Sequence, residues 1–261
     1  MSAVVVAVGS VTVIGVVCAV MLAVVSKAMA VAMDERVALI RDCLPGVNCG
    51  ACGFSGCDGY AAALVGGGAE PFMCNPGGDE VSKRISLILG KTPSGGVVKL
   101  SAVVHCLGDF DTNRASMDYE GIGSCAAVKQ LYGGLGACSF GCIGFGDCAT
   151  ACPDGAICIE NGLARVDVRR CGGCGLCSGV CPNGLISIEY SSIIVTMKCK
   201  NMEKGALMRD KCSKGCIGCT KCTKGCLSGA ITVSDSLARI DYAKCTGCGM
   251  CAGGCPRGCL V

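Results

Sequence analysis

The sequence predicts an α+β chain: a transmembrane helix first, then a small helical cysteine-bearing domain, then two copies of a compact strand-and-turn module. Three observations predict it. An uncharged apolar run extends from Ala3 to Val25, a cysteine-rich segment occurs twice without a gap, and 28 cysteines fall in tight, regular groups. Beside 41 Gly there are only five Phe, five Tyr and no Trp. After residue 26 the large apolar side chains are too sparse for one big core, and small domains in that position are stapled by disulfides or metals.

The apolar run is long enough to cross a hydrocarbon core as a helix, so residues 1–26 form a transmembrane anchor in contact with lipid. Lys27, Arg36 and Arg41 follow it, against Asp34 and Glu35, and no basic residue precedes it. That asymmetry places the soluble part on the cytoplasmic side of the cell membrane, held by a single pass. Ala28-Met29-Ala30 resembles a signal-peptide cleavage site, but the basic n-region is missing and the apolar run exceeds a usual h-region. A disulfide-rich exported protein would need cleavage there. In the cytoplasm, metal binding is the default use of so many thiols.

The repeat organises the rest. The segment CPDGAICIENGLARVDVRRCGGCGLCSGVCP from Cys152 aligns with CLSGAITVSDSLARIDYAKCTGCGMCAGGCP from Cys226, with Leu163-Ala164-Arg165 on Leu237-Ala238-Arg239. Between the cysteine runs, short apolar alternation reads as two strands joined by a turn at Asn161-Gly162. Residues 27–90 form the N-terminal domain, helical in pattern from about Met33. Residues 91–135 are a linker (Lys91 to Gly96) and a bridging segment, and 136–190 the first module. Residues 191–211 make a basic connection to the second module at 212–261.

C-x2-C-x2-C-x3-C runs occupy Cys171–Cys181, Cys216–Cys226 and Cys245–Cys255, two of them followed by Pro. This is the spacing of bacterial two-cluster ferredoxins, in which three close thiolates hold one [4Fe–4S] cluster and the fourth serves its neighbour. It groups Cys216, Cys219 and Cys222 with Cys255, and Cys245, Cys248 and Cys251 with Cys226. The first module departs from the pattern, because Phe145 stands where the second has Cys219, while Cys138 aligns with Cys212. With Cys138 supplying the missing thiolate, its sets are Cys138, Cys142, Cys148 with Cys181, and Cys171, Cys174, Cys177 with Cys152. A fifth set, Cys49, Cys52, Cys57 and Cys74, stands in the N-terminal domain. Zinc knuckles are the alternative. They use paired C-x2-C units, often with His, and His105 is the only histidine.

Five [4Fe–4S] clusters follow from motif alone. Cys106, Cys125, Cys199 and Cys212 remain just outside the motifs and leave a sixth cluster open. Cys18 lies in the anchor, and Cys43, Cys158 and Cys259 lack partners at useful spacing. A lone His such as His105 is more often hydrogen-bonded than ligating. Each cluster with its four thiolates carries about −2, so five turn the formal net charge of +3 into about −7. Nucleic acid is therefore no expected partner, and aromatic stacking platforms are missing too. Gly66-Gly67-Gly68 lacks the context of a phosphate loop. The basic residues between Lys198 and Lys224 read either as compensation for anionic clusters or as a docking face for an acidic redox protein.

The anchor, the C-x2-C-x4-C-x16-C site and two ferredoxin-like modules, in that order, resemble the B subunits of the Rnf ion-translocating ferredoxin:NAD+ oxidoreductases, in the longer form of anaerobes. The resemblance covers essentially the whole chain. It implies a translocase component that accepts electrons from reduced soluble ferredoxin. Those electrons pass on to other Rnf subunits, coupled to Na+ or H+ export and NAD+ reduction. The residues themselves support a conductor with no catalytic pocket of its own. An electron-transfer subunit of another anaerobic membrane oxidoreductase would lack the Cys49–Cys74 segment beside the anchor. A zinc-stapled interaction scaffold would be redox-silent.

Overall fold

The computed structural model describes residues 2–28, 34–92, 95–193 and 195–261. Met29 and Ala30 of the cleavage-like stretch, Met33, and Pro93 and Ser94 of the linker lie outside them. Helix α1 (Ser2–Ala28) is apolar all round, with Lys27 in its last turn. It is long and apolar enough to cross a membrane, and the side chains described along it are exposed. A helix without a polar face finds its partner in lipid.

Three short helices follow: α2 (Glu35–Cys43), α3 (Cys57–Val65) and α4 (Gly78–Ile88). Asp34 caps α2 by accepting the Arg36 N–H at 2.9 Å. Ile40, Tyr60, Ala61, Leu64 and Ile85 form their shared core, and the Tyr60 hydroxyl donates to the Glu70 carbonyl at 2.6 Å.

The first module contains β1 (Leu100–Val104), α5 (Cys125–Tyr132), α6 (Asp147–Thr150), β2 (Ile157–Glu160), β3 (Leu163–Val166), α7 (Leu176–Val180) and β4 (Ile186–Tyr190). The second contains α8 (Gly205–Lys211), α9 (Lys221–Lys224), β5 (Ile231–Ser234), β6 (Leu237–Ile240) and α10 (Met250–Gly253). Among the described residues the strands form three antiparallel pairs, β1–β4, β2–β3 and β5–β6. The β2–β3 hairpin runs from Ile157↔Val166 to Glu160↔Leu163, with Asn161 at φ 47° and Gly162 at φ 74° in its turn. Two consecutive left-handed residues match the right-handed twist of the strands they join. The β5–β6 hairpin repeats this with Asp235 and Ser236.

Gly144 and Gly218, equivalent in the repeat, both have positive φ and back onto these turns. A Cβ on Gly144 would stand 2.7 Å from the Gly162 carbonyl oxygen, and one on Gly218 would stand 2.9 Å from the Ser236 Cα. Only glycine lets the cysteine loop approach its hairpin so closely.

The stretch read as linker and bridge contributes more than a connection. Its β1 pairs with β4 from Leu100↔Tyr190 to Val104↔Ile186, which ties it into the first module. The second module has the same arrangement in shorter form. Met197 bridges Leu260, and Thr196 and Val261 exchange backbone hydrogen bonds. Beyond these pairs, His105 N–H donates to the Leu185 carbonyl and Lys198 N–H to the Cys259 carbonyl, each at 2.7 Å. Cys106 and Cys199 therefore stand at matching places in the two modules. The module cores consist of cysteines and small aliphatic residues, including Ala102, Ile157, Ala164 and Ile186 in one and Val195, Ile231, Ala238 and Leu260 in the other.

Candidate iron–sulfur sites

Cysteines at the motif spacings gather in fours. In the N-terminal domain Cys57 opens α3, where its N–H donates to Asn48 Oδ1 at 2.8 Å. Burial raises the Cys74 thiol, and Cys57, Cys52 and Cys49 lie close enough to push the same way. In the first module burial pushes Cys177 up to about 11, reinforced by Cys174, Cys171 and Cys152. Ala102 N–H points at Cys171 Sγ (3.4 Å) and Ala156 N–H at Cys152 Sγ (3.3 Å). In the second module burial likewise raises Cys251, beside Cys226 and Cys245, while Cys248 is exposed.

Two cavities place the remaining first-module cysteines differently from the expectation. The first is lined by Cys125, Cys142, Cys148 and Cys181 among Val104, Ile143, Ile159 and other apolar residues. Burial pushes Cys148 up to about 12, with Cys142, Cys125 and Cys181 adding to it. Cys138, expected to complete this set, is on the second cavity instead, and Cys125 stands in its place. The cause is local. Asp147 accepts the N–H groups of Cys125 (2.9 Å) and Ala126 (3.1 Å) and the Ser124 hydroxyl (3.0 Å), so it anchors the N-terminus of α5 beside the cavity. Phe145 covers the neighbouring apolar cluster, edge-on to Tyr119 at 5.7 Å.

The second cavity is lined by Cys106, Cys138, Cys199 and Cys212. Three of these belong to the set left open for a sixth cluster. Burial pushes Cys106 up to about 12 and Cys199 to about 11. Asn201 Nδ2 donates to Cys138 Sγ at 3.2 Å, and Gly108 N–H to Cys106 Sγ at 3.3 Å. His105 lines the same cavity, yet both ring nitrogens are engaged elsewhere: Nδ1 with the Met197 carbonyl (2.6 Å) and Nε2 with Ser187 Oγ (2.5 Å). A third cavity carries Cys216, Cys219, Cys222, Cys255 and also Cys259.

These surroundings suit [4Fe–4S] clusters. A buried thiol resists ionisation because its thiolate is poorly solvated, and an iron core supplies the missing positive charge. Backbone N–H groups aimed at sulfur stabilise the bound thiolates further.

The basic stretch divides. Lys200 binds the Gly184 carbonyl, Lys211 pairs with Glu203 at 2.5 Å, and Lys198 is half-buried. Lys204, Arg209, Lys214, Lys221 and Lys224 are exposed, the last two flanking Cys222 on α9.

Residues 44–76, which contain the N-terminal cysteine set, match the family described as "Putative Fe-S cluster", and 164–187 and 238–261 match "4Fe-4S binding domain". Among relatives, the B subunit of the Na(+)-translocating ferredoxin:NAD(+) oxidoreductase complex of Acetobacterium woodii is 39% identical over 261 residues, all of this chain and 78% of that protein. Its proton-translocating counterpart from Clostridium ljungdahlii is 41% identical over 90% of this chain and 83% of its own. The B subunit of the ion-translocating oxidoreductase complex of Methanosarcina acetivorans is 38% identical over 87% and 86%.

Proposed function

The chain belongs to the family of B subunits of the Rnf ion-translocating ferredoxin:NAD+ oxidoreductase complexes, and on that premise we propose that it is the iron–sulfur electron-transfer subunit of such a complex, holding six cysteine sites in one line. The order rests on contacts between neighbouring sets. Asn75, next to Cys74, donates to the Gly172 carbonyl at 2.9 Å, and Cys49 lies near enough to Cys174 to raise its thiol. The N-terminal set is thus followed by Cys152, Cys171, Cys174 and Cys177. Next come Cys125, Cys142, Cys148 and Cys181 across the same module, where Cys142 N–H bonds the Cys106 thiol of the following set. Cys216 N–H reaches Cys199 Sγ at 3.4 Å from the other side. Beyond it lie Cys216, Cys219, Cys222 and Cys255, and finally Cys226, Cys245, Cys248 and Cys251.

The sixth set is the observation that carries this reading. Cys138 and Cys212 are equivalent in the repeat, as are Cys106 and Cys199 by their place beyond the paired strands. Each module therefore contributes the same two thiols to one shared cavity. Even the approaching N–H donors, on Cys142 and Cys216, are repeat equivalents. Four thiols, two from each module, on one cavity match the ligand count of a single cubane.

Bound [4Fe–4S] clusters would supply the one-electron centres through which charge from reduced ferredoxin leaves for partner subunits. The chain's own residues fix thiol positions, exclude water with small aliphatic walls and direct N–H groups at sulfur. We place ferredoxin docking at the second module, beside exposed Lys221, Lys224 and Cys219. α1 carries no Asp, Glu, Lys, Arg or His before Lys27, so the ion path is assigned to partner subunits, with the soluble part on the cytoplasmic side. The test is anaerobic mixing of the reconstituted full chain in detergent with reduced ferredoxin. Rapid ferredoxin oxidation with bleaching of the chain's own visible absorption is expected. A redox-silent chain would overturn the reading.

A further inference from the structure

Five cysteines, not four, line the second-module cavity. The extra one is Cys259. It is 2% exposed, and its Sγ lies 3.5 Å from Cys255 Sγ. The matching position in the first module is Leu185, whose carbonyl accepts the same backbone hydrogen bond that the Cys259 carbonyl does. Leu185 lines the first-module cavity and is equally buried. The two cavities therefore differ here by one side chain, a thiol that can donate against an alkyl group that cannot.

We propose that Cys259 is not a ligand but donates its S–H to the ligand sulfur of Cys255, which raises the reduction potential of the group held by Cys216, Cys219, Cys222 and Cys255. This inference rests on the four-cysteine reading of that site. A hydrogen bond to a ligand sulfur favours the more electron-rich, reduced state, and hydrogen bonds to sulfur are among the protein's levers on cluster potential. Lys198 N–H on the Cys259 carbonyl and the exchange between Thr196 and Val261 fix the tail, so the thiol is held in place rather than free to wander. The consequence is a donor at one of two repeat-related sites and none at the other, which makes the second-module site easier to reduce than it is without Cys259.

The experiment compares the full chain, purified in detergent without oxygen, with Cys259→Leu, Cys259→Ala and Cys259→Ser. Iron and acid-labile sulfide are assayed, and each protein is titrated redox-potentiometrically with EPR detection. Iron and sulfide are expected to match the unsubstituted chain in all three. One midpoint moves to more negative potential in Cys259→Leu and Cys259→Ala, and lies nearer its original value in Cys259→Ser, which keeps a donor. An unmoved midpoint in both apolar variants overturns the proposal, as does a Ser variant that behaves like Leu. Loss of about four irons with Cys259→Ala would make Cys259 a ligand and overturn it too. An unsubstituted chain without iron and sulfide would instead overturn the four-cysteine reading beneath it.

Discussion

The two modules align without a gap along their cysteine runs, yet the first has Phe145, Asp147 and Leu185 where the second has Cys219, Lys221 and Cys259. Each exchange has a structural consequence. Losing the thiol at 145 opens a place that Cys125 fills from a separate helix, and the acidic residue two positions on anchors that helix. In the second module the thiol is within the run, and the same position carries an exposed lysine. A repeat can thus keep at least four cysteines on each cavity while drawing one of them from outside the repeat. What it preserves is the cavity, not the motif.

Breaking that comparison gives the largest expected effect. Cys125→Ser should lower iron by about four per chain, and Phe145→Cys in the same background should restore it by giving the first module the second module's ligand pattern. Cys138→Ser should also remove about four irons, but Phe145→Cys should not restore them, because Cys138 belongs to the shared cavity. Iron assays with EPR separate these outcomes. Next come Gly144→Val and Gly218→Val, which force a branched side chain into positive φ against a hairpin turn. Each should cost about 2–3 kcal/mol in denaturant unfolding, by similar amounts in the two modules.

Asp147→Ala removes the α5 anchor and should cost about 1 kcal/mol, while Lys221→Ala at the matching position should leave stability within about 0.5 kcal/mol in the same assay. Lys221→Ala combined with Lys224→Ala should raise the apparent KM for ferredoxin about two- to fivefold at low salt and flatten its salt dependence. An unchanged KM would move docking elsewhere. The smallest effect belongs to Arg165→Ala: its 2.9 Å pair with Glu160 is solvent-exposed, and its loss should change stability by less than about 0.5 kcal/mol.

Much of this architecture is legible in the sequence because it is local. The apolar run gives α1, consecutive Asn161-Gly162 marks the turn between β2 and β3, and gapless alignment of the cysteine runs pairs the modules. What escapes is what only tertiary placement decides. The alignment assigns Cys138 to the first module's own set, since nothing along the chain links Cys125 to Cys142. Their proximity depends on Asp147 reaching back across more than twenty positions to the start of α5. β1 reads as part of a bridge because its partner, β4, follows eighty residues later, on the far side of the module. One signal is available. Cys106 and Cys199 each follow, with one residue between, a short strand-like segment (Ala102-Val103-Val104 and Val195-Thr196-Met197), and their equivalence emerges once those segments pair with the ends of the two modules.

The central claim is a sixth four-cysteine site shared between the modules, and an iron and acid-labile sulfide assay on the anaerobically purified full chain tests it most directly, alongside Cys106→Ser combined with Cys199→Ser. Six sites predict about 24 iron with matching sulfide, falling to about 20 in the double variant. About 20 iron in both proteins would contradict the shared site, and zinc with negligible sulfide would contradict the iron–sulfur reading of the whole chain.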